Sequence, residues 1–182
     1  MRKKYRLLKT LCFTIFIYIT KCHHKNLEIG EVKMEHFKKV LVQELIYEES
    51  KEAILQKLDG IDDPEVLHIF AYNYNWDNGF AIPKKILEKK MCELATALMI
   101  FYAADGIRYL ENRKNDSKDL KEWNVFMNEL YKKIIHKKFI KGKIKFVPPL
   151  NRVYLYKLKQ NLKENEMIFI EVLGEIELDI VV

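Results

Sequence analysis

The chain has 182 residues, enough for one domain with a substantial core, and 49% of them are apolar against 32% charged, which excludes an intrinsically disordered polymer. Its cysteines, Cys12, Cys22 and Cys92, are odd in number and far apart, which argues against a disulfide framework or a zinc site and fits reduced thiols in a cytosolic protein. The net charge of +6 is uneven: residues 1–33 carry +6, 34–58 carry −1, 59–111 carry −4 and 112–182 carry +5, an asymmetry that bears on partners rather than on fold.

Residues 1–33 read as a basic–apolar extension and residues 34–182 as a single helical domain. The apolar run from Thr10 to Thr20 is shorter than the roughly 20 residues a membrane span needs, but it suits a signal-peptide core. No small-residue cleavage pattern follows it, and Lys21 before Cys22 argues against a lipoprotein. Three readings stay open: an export or anchor segment acting through residues 7–20, a start misassigned upstream of Met34, or an integrated structural element. The extension is expected to add little to the core, and the expected location is the cytoplasm, with export or membrane association as the alternative. His23 and His24 are adjacent, a poor arrangement for chelating one ion, so no metal and no cofactor are expected.

From residue 35 to 58 the apolar groups Phe37, Val40, Leu41, Leu45, Ile46, Ala53, Ile54 and Leu58 follow a helical period, and Gly60 stops the helix. Asp63, Pro64 and Glu65 restart one as cap, first-turn proline and first-turn acid. Asp77-Asn78-Gly79 supplies turn chemistry, and Pro83 opens a short helix with Ile86 and Leu87 inward. "CELATALMIFYAADGIRYL" is the most apolar stretch and the expected central helix, ending near Asp105-Gly106 or at Leu110. Residues 118–138 form another amphipathic helix. "KFIKGKIKFVPPL" then alternates lysine with Ile, Phe or Val, as a short strand or hairpin would. Leu150–Leu162 reads as helix, with Val153, Tyr154, Leu155 and Leu158 inward, while residues 167–182 fit strand or helix, with strand favoured. Leu67, Ile69 and Phe70 recur 31 positions later as Leu98, Ile100 and Phe101, a spacing typical of stacked helical repeats. The expected fold is mainly α, a HEAT-like antiparallel helical array with a short strand or hairpin near the C-terminus.

The segments "LHIFAYNYNWDNGFAIPKKIL" and "CELATALMIFYAADG", with the closing "YL", resemble the bacterial family catalogued as domain of unknown function 4274, over the family-like core 66–110. The resemblance implies a small cytosolic bacterial protein, of a kind found in some cases in toxin–immunity neighbourhoods.

The stretch from Tyr72 to Pro83 has two readings. As a helix corner, Trp76, Gly79, Phe80 and Pro83 have turn or packing roles, and Asp77 accepts turn N–H groups or caps the next helix. Two asparagines and two tyrosines exceed what a corner needs, however, so Tyr72, Asn73, Asn75 and Asp77, with Asp105, are candidates for binding a basic protein surface. His68 sits on an apolar helix and reads as a satisfied core residue, and Cys92 as a structural thiol. Lys132, Lys133, Lys137, Lys138, Lys141, Lys143 and Lys145 form a basic patch interleaved with Ile and Phe; a solvated face with a lysine-protected edge explains it, and nucleic acid or an anionic membrane is the competing partner. The expected function is a non-catalytic protein-interaction module whose partner is an unknown protein. A narrower form is an immunity-type inhibitor of a bacterial toxin encoded nearby. Weak binding of nucleic acid or membrane through Lys132–Lys145 is the alternative, and an enzyme using Asp77, Asp105 or Cys92 comes third, since no nucleophile and base are placed together.

Overall fold

The computed structural model describes residues 34–113 and 120–182, in two units, 1–40 and 41–182, each taken by itself. The readings of residues 1–33, and most of the polar loop before residue 120, lie outside the described residues. In the first unit, residues 34–40 are helical and largely exposed.

The second unit is mainly α-helical, as the periodicity predicts. Residues 41–46 are helical, and residues 48–50 interrupt the single helix expected over 35–58. The interruption is local chemistry. The Ser50 hydroxyl accepts the Ala53 N–H at 3.2 Å and Glu48 accepts the Ser50 N–H at 3.3 Å, so a new N-terminus begins there. Helix α1 is Lys51–Asp59, closed by Gly60. Asp63 caps α2, Pro64–Tyr72, through the N–H groups of Glu65 and Val66. A 3-10 turn, Trp76–Asn78, leads to α3, Ala81–Glu88, which starts two residues before Pro83 and buries Ile86 and Leu87.

Helix α4, Leu94–Ala103, is buried from Leu94 to Tyr102 and is the expected centre, packed on α2 and on α6, Lys121–Ile135. The apolar run does not continue as one rod. Asp105 takes a left-handed conformation, φ 68°, and α5, Gly106–Glu111, sets off in a new direction. Gly106 makes that turn feasible, because a Cβ there would lie 2.3 Å from the Phe101 ring and 2.6 Å from the Phe101 carbonyl oxygen. Helix α7, Arg152–Asn161, buries only Leu158 fully; Tyr154 and Leu155 are half-buried, and Val153, expected inward, is exposed.

The expected short strand or hairpin is not formed among the described residues. Single bridges replace it: Glu93 with Ile140, Ile144 with Ile176, and Phe146 with Leu173. The physical reason is divided pairing. Residues 140–146 give hydrogen bonds both to the start of α4, where the Ile144 N–H meets the Glu93 carboxylate at 3.0 Å, and to residues 173–176. No neighbouring segment runs alongside long enough to build a ladder. Residues 164–170 form a 3-10 segment, so the β-branched tail is neither α-helix nor strand pair. That segment inserts Phe169, fully buried, against Phe101 and flat on Tyr131, with ring centroids 4.7 and 5.4 Å away.

Candidate functional site

The corner begins where α2 ends. Asn73 caps the helix, and its side-chain amide donates to the Ile69 carbonyl at 2.9 Å and to the Ile180 carbonyl at 2.7 Å. Both amide protons are thereby used, so Asn73 ties the C-terminal tail to α2 and has no donor left for a partner. Tyr74 is buried and its hydroxyl donates to the Gly79 carbonyl at 2.8 Å, closing the loop. Trp76 meets Tyr74 edge-on at 5.6 Å, and Phe80 stacks on Phe126 at 4.7 Å. These aromatic contacts fix the corner to α6. Gly79 has φ 76° and ψ −161°, a region essentially restricted to glycine.

Asn75, and not Asp77, supplies the local cap: its Oδ1 accepts the Asp77 N–H at 3.1 Å, whereas α3 has no side-chain cap. The Asp77 carboxylate is exposed and has no hydrogen-bond or ionic partner among the described residues. Tyr72 is 51% exposed. Asp105 lies at the α4–α5 junction, 3.9 Å from Arg108, with no bond or ion pair linking it to the corner among the described residues. The structure therefore leaves Tyr72, Asn75 and Asp77 as the exposed polar residues of the corner, interleaved in sequence with its packed aromatics.

Tyr72 also lines a cleft of 480 Å³ that sequence reasoning did not find. One wall is α2 and α4, through His68, Tyr72, Met99 and Tyr102; the other comes from Phe146, Val147, Pro149, Leu178 and Ile180. Walls drawn from residues about forty to more than a hundred positions apart leave no local pattern in the sequence.

His68 is 4% exposed and its Nδ1 lies 3.0 Å from the Thr96 hydroxyl. Burial pushes its pKa down to about 4, so the ring is neutral near pH 7. Cys92 is buried as well, and burial first, then the Glu93 charge, pushes its thiol up to about 12. A thiol held protonated in this way is no nucleophile. The lysine run is not a continuous positive face. Lys145 pairs with Glu177 at 2.9 Å, and Lys137 and Lys141 line a second cleft together with Glu164 and Glu171, while Lys132, Lys138 and Lys143 are exposed and Lys133 is half-buried. Among the described residues no group of three or more His, Cys, Asp or Glu is placed to hold a metal ion, and no helix is long and apolar enough to cross a membrane.

The aromatic corner, the central helix and α6 all fall within residues 62–135, which match the family model described as domain of unknown function (DUF4274). These residues are similar to the DUF4274 family. The resemblance read over residues 66–110 thus holds, and the matched segment extends through α6. No curated protein and no solved structure matches the chain.

Proposed function

We propose that this chain is a non-catalytic protein-interaction module that presents Tyr72, Asn75 and Asp77 of its DUF4274-like segment to a partner protein. The observation that carries the reading is the contrast within one short stretch: Tyr74, Trp76 and Phe80 are packed by ring contacts, while Tyr72 is exposed and Asp77 is exposed and unpaired among the described residues. A tyrosine offers contact area at little cost in side-chain entropy, which is why such residues dominate binding surfaces. The acidic balance of residues 59–111 and the exposed Asp77 favour a partner with basic side chains around an apolar centre. The packing of α2 on α4, which carry the repeated Leu-x-Ile-Phe pattern, supports a HEAT-like antiparallel stack as the platform. An immunity-type inhibitor masking a bacterial toxin is the narrower form of this reading, and it rests on the family resemblance alone.

Nucleic acid or an anionic membrane is the second reading, and the glutamates Glu164, Glu171 and Glu177 beside the lysine run count against it. Catalysis through Asp77, Asp105 or Cys92 is a third reading, and the burial that keeps the Cys92 thiol protonated counts against that residue as a nucleophile.

The test is capture from the native host with the wild-type chain and with Tyr72→Ala as bait. A protein enriched by the wild type should bind the variant about 30-fold more weakly, the scale of an aromatic hot spot, with unfolding unchanged within about 1 kcal/mol. A captured toxin encoded by the neighbouring gene would support the immunity form. Equal capture by both baits, or none by either, refutes the corner as the binding surface.

A further inference from the structure

The 480 Å³ cleft between α2, α4 and residues 145–149 and 177–180 has a floor and a chemistry of its own. Its lining is dominated by Met99, Phe146, Val147, Leu178 and Ile180, and the charged groups in it, Lys145 and Glu177, are paired with each other. His68 contributes the unusual group. The residue is more than nine-tenths buried, its Nδ1 faces Thr96, its ring lines the cleft, and its Nε2 has no partner among the described residues. The Tyr102 hydroxyl, by contrast, is already committed to the Phe169 carbonyl.

We infer that this cleft binds a small, uncharged, mostly apolar molecule carrying one hydroxyl or carbonyl group, which hydrogen-bonds to Nε2 of His68. The volume lies within the roughly 300–1,000 Å³ typical of small-molecule sites, and one convergent polar atom on an apolar wall is their usual composition. A neutral imidazole can donate or accept at Nε2 according to which nitrogen carries the proton, and the Thr96 hydroxyl can complement either form. A hydroxyl ligand therefore suits both tautomers. A carboxylate does not: it would lose its water against Met99 and Ile180 and find a histidine that resists protonation. The cleft is also held in shape. The Asn73–Ile180 hydrogen bond and the Lys145–Glu177 pair fasten the tail that forms its outer wall. This inference does not depend on the corner binding a protein.

The test uses the full chain and three probes of one shape, 2-naphthol, naphthalene and 2-naphthoate, with affinities from calorimetry and the ring nitrogens of His68 followed by NMR. 2-Naphthol should bind about three- to tenfold more tightly than naphthalene, the worth of one neutral hydrogen bond, and shift Nε2 of His68, and 2-naphthoate should bind most weakly. His68→Phe should remove the preference for 2-naphthol over naphthalene. Ala103→Trp, on an exposed position lining the cleft, should abolish binding of all three without relying on a change in the core. Equal affinity for 2-naphthol and naphthalene, undiminished binding to Ala103→Trp, or no binding of any probe at millimolar concentration overturns the inference.

Discussion

Glu166 is a fully buried carboxylate whose stabilising role can be followed with pH. Its side chain is 2% exposed; Oε1 accepts from Arg113 at 2.6 Å and from the Tyr131 hydroxyl, while Oε2 accepts the Lys163 N–H at 2.8 Å. Burial pushes the carboxyl pKa up, and these three donors outweigh it, holding the group at about 2. In the unfolded chain a glutamate titrates near 4.3, so the unfolded state binds the extra proton between about pH 4.5 and 2, and stability must fall as pH falls through that window. A difference of roughly two units is worth about 3 kcal/mol, of which about 2 kcal/mol is gone by pH 3. Urea unfolding of the wild type and Glu166→Gln at pH 7 and pH 3 isolates this contribution from the other carboxylates. The wild type should lose about 2 kcal/mol more than the variant over that interval, and the variant should be the less stable of the two at pH 7. Parallel losses in both proteins would refute the assignment of a depressed pKa to Glu166.

Three further outcomes follow from the packing. Asn73→Ala removes two half-buried hydrogen bonds and should cost about 1–3 kcal/mol in chemical unfolding while raising amide exchange at the C-terminal tail; stability unchanged from wild type would return Asn73 to the binding surface. Phe101→Ala empties a site in contact with Tyr102, Tyr109 and Phe169 and should cost about 3–5 kcal/mol by the same assay. A Cβ at Gly79 would meet nothing within 4 Å, so Gly79→Ala should cost about 1–3 kcal/mol through backbone strain alone, and Gly79→Val should cost at least as much.

What was legible in the sequence was whatever is settled within a few residues. Asp63 and Pro64 announced a helix start, Gly60 a stop and Gly79 a turn, because caps and positive φ are local requirements. The burial of Leu67, Phe70, Leu98, Ile100 and Phe101 was readable from periodicity and density of apolar residues. Alternation in residues 139–146 misled, because lysine–isoleucine alternation reports one buried and one wet face but not whether a second strand is available to pair. Val153 misled similarly: α7 interleaves its apolar groups with Arg152, Lys157, Lys159, Gln160 and Asn161, and Leu158 alone anchors it fully in the core. The Arg113–Tyr131–Glu166 cluster and the His68 cleft had no signature at all, since each joins positions that only tertiary packing brings together.

The boundary of the DUF4274 segment and the boundary of the physical core do not coincide. Residues 62–135 supply α2 to α6, but the core they build is closed by groups beyond residue 135. Phe169 lies flat on Tyr131 and against Phe101, Ile144 satisfies Glu93 at the head of α4, and Ile180 accepts from Asn73 at the end of α2. Each contact falls on one end or one face of a family helix that would otherwise meet solvent with a buried ring, a carboxylate or an amide exposed. Of these, Ile180 also lines the cleft, beside Phe146 and Leu178 from the same C-terminal part, so ligand selection there depends on those three residues as much as on His68. The corner is different in kind: Tyr72, Asn75, Asp77 and the corner's packed aromatics all lie inside residues 62–135. The proposed partner surface therefore rests on the matched segment alone, whereas the proposed cleft chemistry also requires the residues that follow it.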